Sequence, residues 1–204
     1  MEVSNLSKKE AKEKRVDDIL DAAIDVFIEK GYENTSMNEI ALRAGMSKGG
    51  LYHHFLSKDM ILLYANQKLM EPCNEMLKAA TENPLVKDGL NQYIYEYLKF
   101  WKDRKKALIF FSLSMTKAMT HMDIFKMYEN YTEDNIRSFE ALFKKGITTG
   151  EFVTHDCRGS AIALMSALDG LIVYMALDKK LTLQDMSRTF EDIFLKPIYQ
   201  SHAE

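Results

Sequence analysis

Apolar residues recur at helical spacing along almost the whole chain. Val16, Ile19, Leu20, Ala23, Val26 and Phe27 form an i, i+3, i+4, i+7 stripe, which predicts a helix closed by Gly31 after Lys30. Short helices are predicted over Met37–Ala44 and Lys48–Leu56, and a longer one from the N-cap Ser57 toward Ala80 with Pro72 inside it. Asn83-Pro84 marks a loop, after which Leu90, Tyr93, Ile94, Tyr97, Leu98 and Trp101 repeat with helical spacing. Ala107–Met119 is apolar on nearly all sides, which predicts a helix at the centre of a bundle. Asp123 and Asp156 are placed to cap helices running to Thr149 and Leu177, and Thr182 with Asp185 to cap a last helix stopping near Pro197. No period-two alternation competes. The predicted fold is all-α, with about nine helices.

Composition narrows the class. Hydrophobic residues are 47% and charged residues 28%, ordinary for a folded globular chain. MEVSNLSKKEAKEKR has no apolar stretch after its basic residues, as a secretory signal would. The apolar runs Ala107–Phe111 and Leu171–Leu177 fall short of the roughly 20 residues of a membrane helix. Cys73 and Cys157 lie 84 positions apart, without metal-ligand spacing. No metal, cofactor, disulfide framework or membrane association is therefore expected, and a reducing cytoplasm is the expected setting.

Net charge is −3, and residues 1–60 carry nine Lys/Arg against eleven Asp/Glu, which excludes a broadly basic nucleic-acid coat. The distribution says more than the sum. From Asn34 to Lys58 the charges are Arg43, Lys48, Lys58 and Glu39, a local +2, while Asp17, Asp18, Asp21, Asp25 and Glu29 precede it.

That segment carries the chemistry. Ser36 with Glu39 forms a capping box that starts a short helix, and Ile40, Ala41 and Ala44 are its apolar face. Gly45 ends it and reverses the chain, and Ser47 caps the next helix. There Leu51 and Phe55 point to the core while Lys48, Gly49, Tyr52 and His53 point outward. Two short helices with a Gly-containing turn and a polar outer face suit docking in the major groove. Lys48 and Lys58 can neutralise phosphates, Ser47 and its neighbouring N–H groups can hold another, and Tyr52 and His53 can reach a phosphate or a base edge. His54, between Leu51 and Phe55, is either a DNA contact or a core histidine.

The string Gly31-Tyr32, Thr35-Ser36, Glu39-Ile40-Ala41, Ala44-Gly45-Met46-Ser47-Lys48-Gly49, Leu51-Tyr52-His53-His54-Phe55, Ser57-Lys58-Asp59 resembles the TetR family of bacterial repressors over residues 12–62. The resemblance implies a helix-turn-helix at about 36–55 within a DNA-binding domain over 12–60, and a ligand-binding and dimerisation domain over 61–204. The implied DNA-facing set is Ser36, Ser47, Lys48, Gly49, Tyr52, His53, His54 and Lys58. Gly50 stands where many members place a base-reading side chain. Gly49-Gly50 costs about 1 kcal/mol per glycine relative to alanine, which suggests a recognition helix partly ordered by docking on DNA.

The remaining chain has no GxSxG, HExxH or phosphate-cradling glycine loop, so no enzyme activity is expected. It is rich in aromatic and methionine residues, which build ordinary core or line an apolar cavity. Trp101, Phe111, Met115, Met119 and Tyr128 are the candidate lining of a small-molecule effector site. Residues 157–177 and 183–200 are the candidate homodimer interface. There Ala161, Ala163, Ser166, Ala167 and Gly170 permit close approach, Ile162, Met165, Leu168, Ile172 and Met175 supply apolar area, and Phe190, Ile193, Phe194 and Ile198 form the partner face. A two-fold dimer presents two recognition helices to successive major grooves, so the operator should be palindromic. Pro72 removes one hydrogen bond from a helix joining reading head to ligand domain and should bend it. Two other classes fit the pattern less fully: an architectural DNA-binding protein without a ligand, and an α-helical enzyme or carrier using the cavity.

Overall fold

The computed structural model describes residues 2–178 and 180–200, with side chains from Glu10 onward. Lys179 and 201–204, which the sequence assigns to the second domain, lie outside the described residues. Among the described residues nine α-helices follow one another: α1 (Glu2–Lys30), α2 (Met37–Arg43), α3 (Lys48–His54), α4 (Lys58–Glu82), α5 (Val86–Lys102), α6 (Lys105–Ala118), α7 (Met122–Thr148), α8 (Cys157–Leu177) and α9 (Leu183–Phe190). A π turn over Glu191–Leu195 and a 3-10 turn over Lys196–Ile198 end the described chain.

Two compact units result. The first takes residues 1–70 and 109–125, the second 71–108 and 126–204. The head unit thus holds more chain than residues 12–60, and α4 crosses from one unit to the other just before Pro72.

In the first unit Ile19, Ala23, Val26 and Phe27 of α1 are buried together with Ile40 and Ala41 of α2, Leu51 of α3 and Ile61, Leu62 and Ala65 of α4. Each large apolar side chain so buried contributes about 1.5–3 kcal/mol. Gly31, at φ +77°, ends α1 in a left-handed conformation that a side chain disfavours. Beyond it the Phe27 ring stacks on Tyr32 at 5.5 Å and on Phe110 of α6 at 6.3 Å. The acidic face of α1 is neutralised within the unit. Lys68 pairs with Asp17 and Asp21, and Arg43 with Glu29 and Asp25.

α6 departs from the bundle-centre expectation. Ile109, Ser112, Thr116 and Met119 recur at i, i+3, i+7, i+10 and form an exposed stripe along it and just past its end, with Met119 71% exposed. Two small hydroxyl residues are enough to make that face tolerable to water.

The second unit is built on α5, which packs against α8 and α9. Its Val86, Leu90, Ile94 and Leu98 are fully buried, and Tyr93, Tyr97 and Trp101 nearly so. α4 and α5 approach so closely at Gly89 that a Cβ there would lie 2.6 Å from the Ala80 carbonyl oxygen. Glu151 caps α5 by accepting from the backbone N–H groups of Val86 and Lys87 at 3.1 and 3.0 Å. Phe152 and Tyr199 form an antiparallel bridge, their rings stacked at 6.0 Å.

Asp156 caps α8 by accepting from Gly159 N–H at 3.0 Å, and Thr182 caps α9 by accepting from Asp185 N–H at 3.1 Å, as the sequence predicts. Asp123, expected as a cap, instead lies inside the first turn of α7, which starts at Met122.

α8 has two apolar faces. Ala161, Leu164, Leu168, Ile172 and Met175 are buried in the unit, whereas Ile162, Val173, Tyr174 and Leu177 stay exposed. With a mean hydropathy of 1.8, α8 is long and apolar enough by length and composition to cross a membrane. The interface residues expected from the sequence therefore divide: Leu168, Ile172 and Met175 belong to the chain's own core, and Phe190 is buried too. Asp169 lies on α8 among the exposed positions and accepts a 2.6 Å hydrogen bond from the Tyr97 hydroxyl. Desolvation of the carboxylate by the atoms packed around it raises the Asp169 pKa, although part of the residue is open to solvent, and the Tyr97 bond opposes that shift.

Candidate nucleic-acid interface

The start of α2 is fixed from both directions. Ser36 Oγ accepts from Glu39 N–H at 3.3 Å, and Glu39 Oε2 accepts from Ser36 N–H at 2.9 Å, completing the box. Lys30 also pairs with Glu39. Lys30 first, then Ser36, holds the Glu39 carboxyl down to about 2.

Gly45, at φ +63°, turns the chain after α2. The turn is closed by Gly45 N–H on the Leu42 carbonyl and Met46 N–H on the Ala41 carbonyl, at 3.1 and 3.0 Å. Ser47 then caps α3, accepting from Gly50 N–H at 3.1 Å.

α3 sorts its residues by face. Leu51 is fully buried and Phe55, just beyond the helix, nearly so, its ring edge-on to Tyr64 at 5.5 Å. Ser47, Lys48, Gly49, Tyr52 and His53 are all exposed, and the Lys48 ammonium lies 6.0 Å from the Tyr52 ring centroid. His54 is half-buried. Gly50 faces inward, where a Cβ would meet Met46 and Ser47 at 3.3 Å, whereas a Cβ on Gly49 would meet open space. α3 is helical through both glycines.

Lys58 behaves differently from its expected part. Its ammonium donates to the backbone carbonyls of Tyr32 and Thr35 at 2.6 and 2.8 Å and lies 4.2 Å from the Tyr32 ring centroid. Desolvation lowers its pKa. Lys58 thus ties the first turn of α4 to the loop between α1 and α2, and those carbonyls occupy the donors a phosphate would need. Ser36 is exposed but engaged in the capping box. Arg43, exposed at the end of α2, makes a bidentate pair with Glu29 at 2.9 and 2.5 Å.

Sequence reading missed the surroundings of Tyr32. Its ring lies 4.2 Å from the Lys58 ammonium and 4.5 Å from that of Lys117 on α6. Its hydroxyl donates to Asp59, and Lys117, 7% exposed, pairs with Glu33. The Lys117 bond is the first cause of a lowered Glu33 pKa, and burial followed by Asp59 raises that of Tyr32. The motif contains Tyr32, Lys58 and Asp59, but nothing local to it points to a lysine 85 positions from Tyr32.

The five residues expected to line an effector site do not converge in one unit. Phe111, Met115 and Met119 belong to the first, Trp101 and Tyr128 to the second. Within the second unit, a cleft of about 420 Å³ is lined by Asn74, Leu77, Lys78, Thr81, Tyr131, Asp134, Asn135 and Ser138. Another, of about 360 Å³, lies between α4 and α5 over Pro72, Met76, Ala79, Gly89 and Tyr93, with Glu75 and Glu96 beside them. None of the five lines either. Among the described residues no cluster of three or more His, Cys, Asp or Glu could hold a metal ion.

Known proteins match both halves of the chain. Residues 19–65 match the family model described as bacterial regulatory proteins, tetR family, and residues 90–200 the one described as QacR-like protein, C-terminal region. The HTH-type transcriptional regulator QacR of Staphylococcus aureus is 25% identical over 174 residues, covering 78% of this chain and 84% of its own. YfiR of Bacillus subtilis, also an HTH-type transcriptional regulator, is 29% identical over 146 residues, 71% of each chain. The crystal structure of NalD, the secondary repressor of a multidrug efflux pump in Pseudomonas aeruginosa, superposes with a TM-score of 0.74 at 20% identity, covering 93% of this chain and 98% of its own. With its capped helix pair, outward polar face and all-helical second unit, this chain belongs to the TetR family of DNA-binding transcriptional regulators.

Proposed function

We propose that the protein is a homodimeric repressor that leaves a palindromic operator when a small molecule occupies its second domain. Residues 12–60 are the reading head, and 61–204 bind effector and partner copy. The observation that carries the reading is the sorting of α3: Lys48, Gly49, Tyr52 and His53 face water while Leu51 is fully buried. In the major groove Ser47 and the free N–H groups of α3 would hold a phosphate and Lys48 a second. Tyr52 and His53 would meet base edges. Lys58 positions the head instead of touching DNA, and His54 packs at its edge.

A second copy covers the exposed apolar face of α8. Ile162, Ala163, Ser166, Gly170, Val173, Tyr174 and Leu177 are all exposed, and Ile193 beyond α9 is 61% exposed. Small residues in the middle of the stripe let two helices approach closely, and the apolar residues supply area. A two-fold dimer carries two copies of α3, suited to operator half-sites one helical turn of DNA apart, about 34–36 Å. The effector enters the second domain, where the two clefts offer a polar lining and a more apolar one. It acts through α4, whose Pro72 sits beside the division between the units. An effector preferring one setting of α4 shifts the dimer between DNA-competent and released states by its differential affinity. In this reading the protein works in the cytoplasm, where its operator lies, and without catalysis.

The test is selection of bound duplexes from random DNA, followed by titration of the Tyr52→Ala variant. We expect recovery of an inverted repeat and weaker binding by the variant. Equal affinity of wild type and variant at moderate salt would overturn the assignment of α3.

A further inference from the structure

Helix α1 begins at Glu2, whereas the match to the family's DNA-binding region begins at residue 19. The additional turns carry a pattern. Lys12, Arg15, Ile19, Ala22 and Val26 recur at intervals of three and four, one face of a helix. From Ile19 onward that face is buried in the head, with Ile19 0%, Ala22 8% and Val26 2% exposed. Toward the N-terminus the same face becomes cationic and solvent-accessible: Arg15 is half-buried and Lys12 exposed.

Arg15 marks where the stripe stands relative to α3. Its guanidinium donates to the Gly45 carbonyl at 3.4 Å, in the turn two residues before Ser47, the α3 cap. The cationic end of the stripe therefore starts beside the N-terminus of the recognition helix, and Lys12 lies three residues, about 4.5 Å, further along α1. No ion pair of Lys12 or Arg15 occurs among the described residues, whereas Asp17 and Asp21 on the other side of α1 are held by Lys68. A buried face that turns cationic on leaving the protein, next to a helix built for DNA, is complementary to a row of phosphates.

We propose that the N-terminal extension of α1 is a second DNA-contact element, in which Lys12 and Arg15 bind the phosphate backbone beside the groove entered by α3. The inference rests on the DNA-binding reading above. It supplies affinity without sequence information, since phosphates carry none.

The test uses the full chain and duplexes selected by the wild type, with a scrambled duplex of equal length. Gln replaces Lys or Arg, because it removes charge at nearly unchanged helix propensity. For K12Q/R15Q, which removes two charges from each copy of the dimer, the slope of log affinity against log salt falls in magnitude by about 3.6, at about 0.9 per phosphate contact. Selected and scrambled duplexes weaken by the same factor. K14Q removes a charge from the opposite face and leaves the slope near the wild-type value. An unchanged slope in K12Q/R15Q with intact wild-type binding overturns this inference alone, as does a K14Q effect equal to that of each stripe charge. Failure of the wild-type chain to bind any duplex overturns the DNA reading, and this inference with it.

Discussion

Helices α3 and α8 both display residues their own fold does not use, and the two displays are chemically opposite. α3 turns Lys48, Tyr52 and His53 to water, whereas α8 turns out Ile162, Val173, Tyr174 and Leu177, the last 77% exposed. Polar exposure costs the isolated chain almost nothing, so α3 needs no partner to be stable. A contiguous apolar face is unfavourable in water and points to a covering surface. α3 can wait for a ligand, while α8 calls for a covering surface throughout.

The largest effect should follow from attacking the apolar display. Val173→Glu would set an unpaired charge where two α8 helices meet, costing about 3–5 kcal/mol and raising the dimer dissociation constant more than about a hundredfold. Operator affinity should fall with it, because both heads must bind together. Sedimentation velocity and fluorescence anisotropy on the same samples check both. A variant that remains dimeric would mean α8 is covered by something other than its copy. Attacking the polar display should be milder. Tyr52→Ala should weaken operator binding about 10- to 100-fold, for about 1–3 kcal/mol of lost contact, with the dimer constant unmoved. If it moved the dimer constant instead, the two surfaces would not be separate.

How far the sequence reveals these surfaces depends on how local the determinants are. Ser36-Glu39, Gly45, Ser47, Asp156 and Thr182 are legible because each bonds within three or four residues of itself. The face of α3 is legible because Leu51 and Phe55 contrast with Lys48 and Tyr52. The interface face of α8 is not: Leu164, Leu168 and Ile172 on one side are no more apolar than Ile162, Val173 and Leu177 on the other. With no hydropathy contrast, periodicity cannot say which side meets the partner. Arg43, Lys58 and Lys117 were equally opaque, since a cation's role follows from carboxylates, carbonyls and rings that only folding brings near. The effector lining is hard to read for a related reason. Aromatic and Met side chains mark apolar surface, but not to which compact unit it belongs.

A smaller effect separates residues that face DNA from those that hold the face in place. Lys58→Met should lower stability by about 1–3 kcal/mol, because the Tyr32 and Thr35 carbonyls lose a charged donor. At about 2–4 °C per kcal/mol for a chain of this size, differential scanning calorimetry should register the loss. The salt slope of operator binding should stay at the wild-type value. A slope reduced by about 1.8, about 0.9 from each copy of the dimer, would return Lys58 to the set of phosphate contacts.

Glu39→Gln should give the smallest effect, and pH can identify its origin. Gln can still accept from Ser36 N–H, so the capping box survives, but the pairing with Lys30 and the negative charge at the start of α2 are lost. In the folded protein the carboxyl is held at about 2, below its ordinary 4.5. A depressed carboxylate contributes its stability above the unfolded value and loses it as pH falls through the folded one. The Tm difference between wild type and Glu39→Gln should therefore be constant near neutrality, begin to shrink below pH 4.5 and vanish near pH 2. Because the pair is exposed, added salt should shrink it too. A difference that persists unchanged into acid would trace the effect to the shape of the cap, and the charge on α2 would then play no part in holding α3 outward.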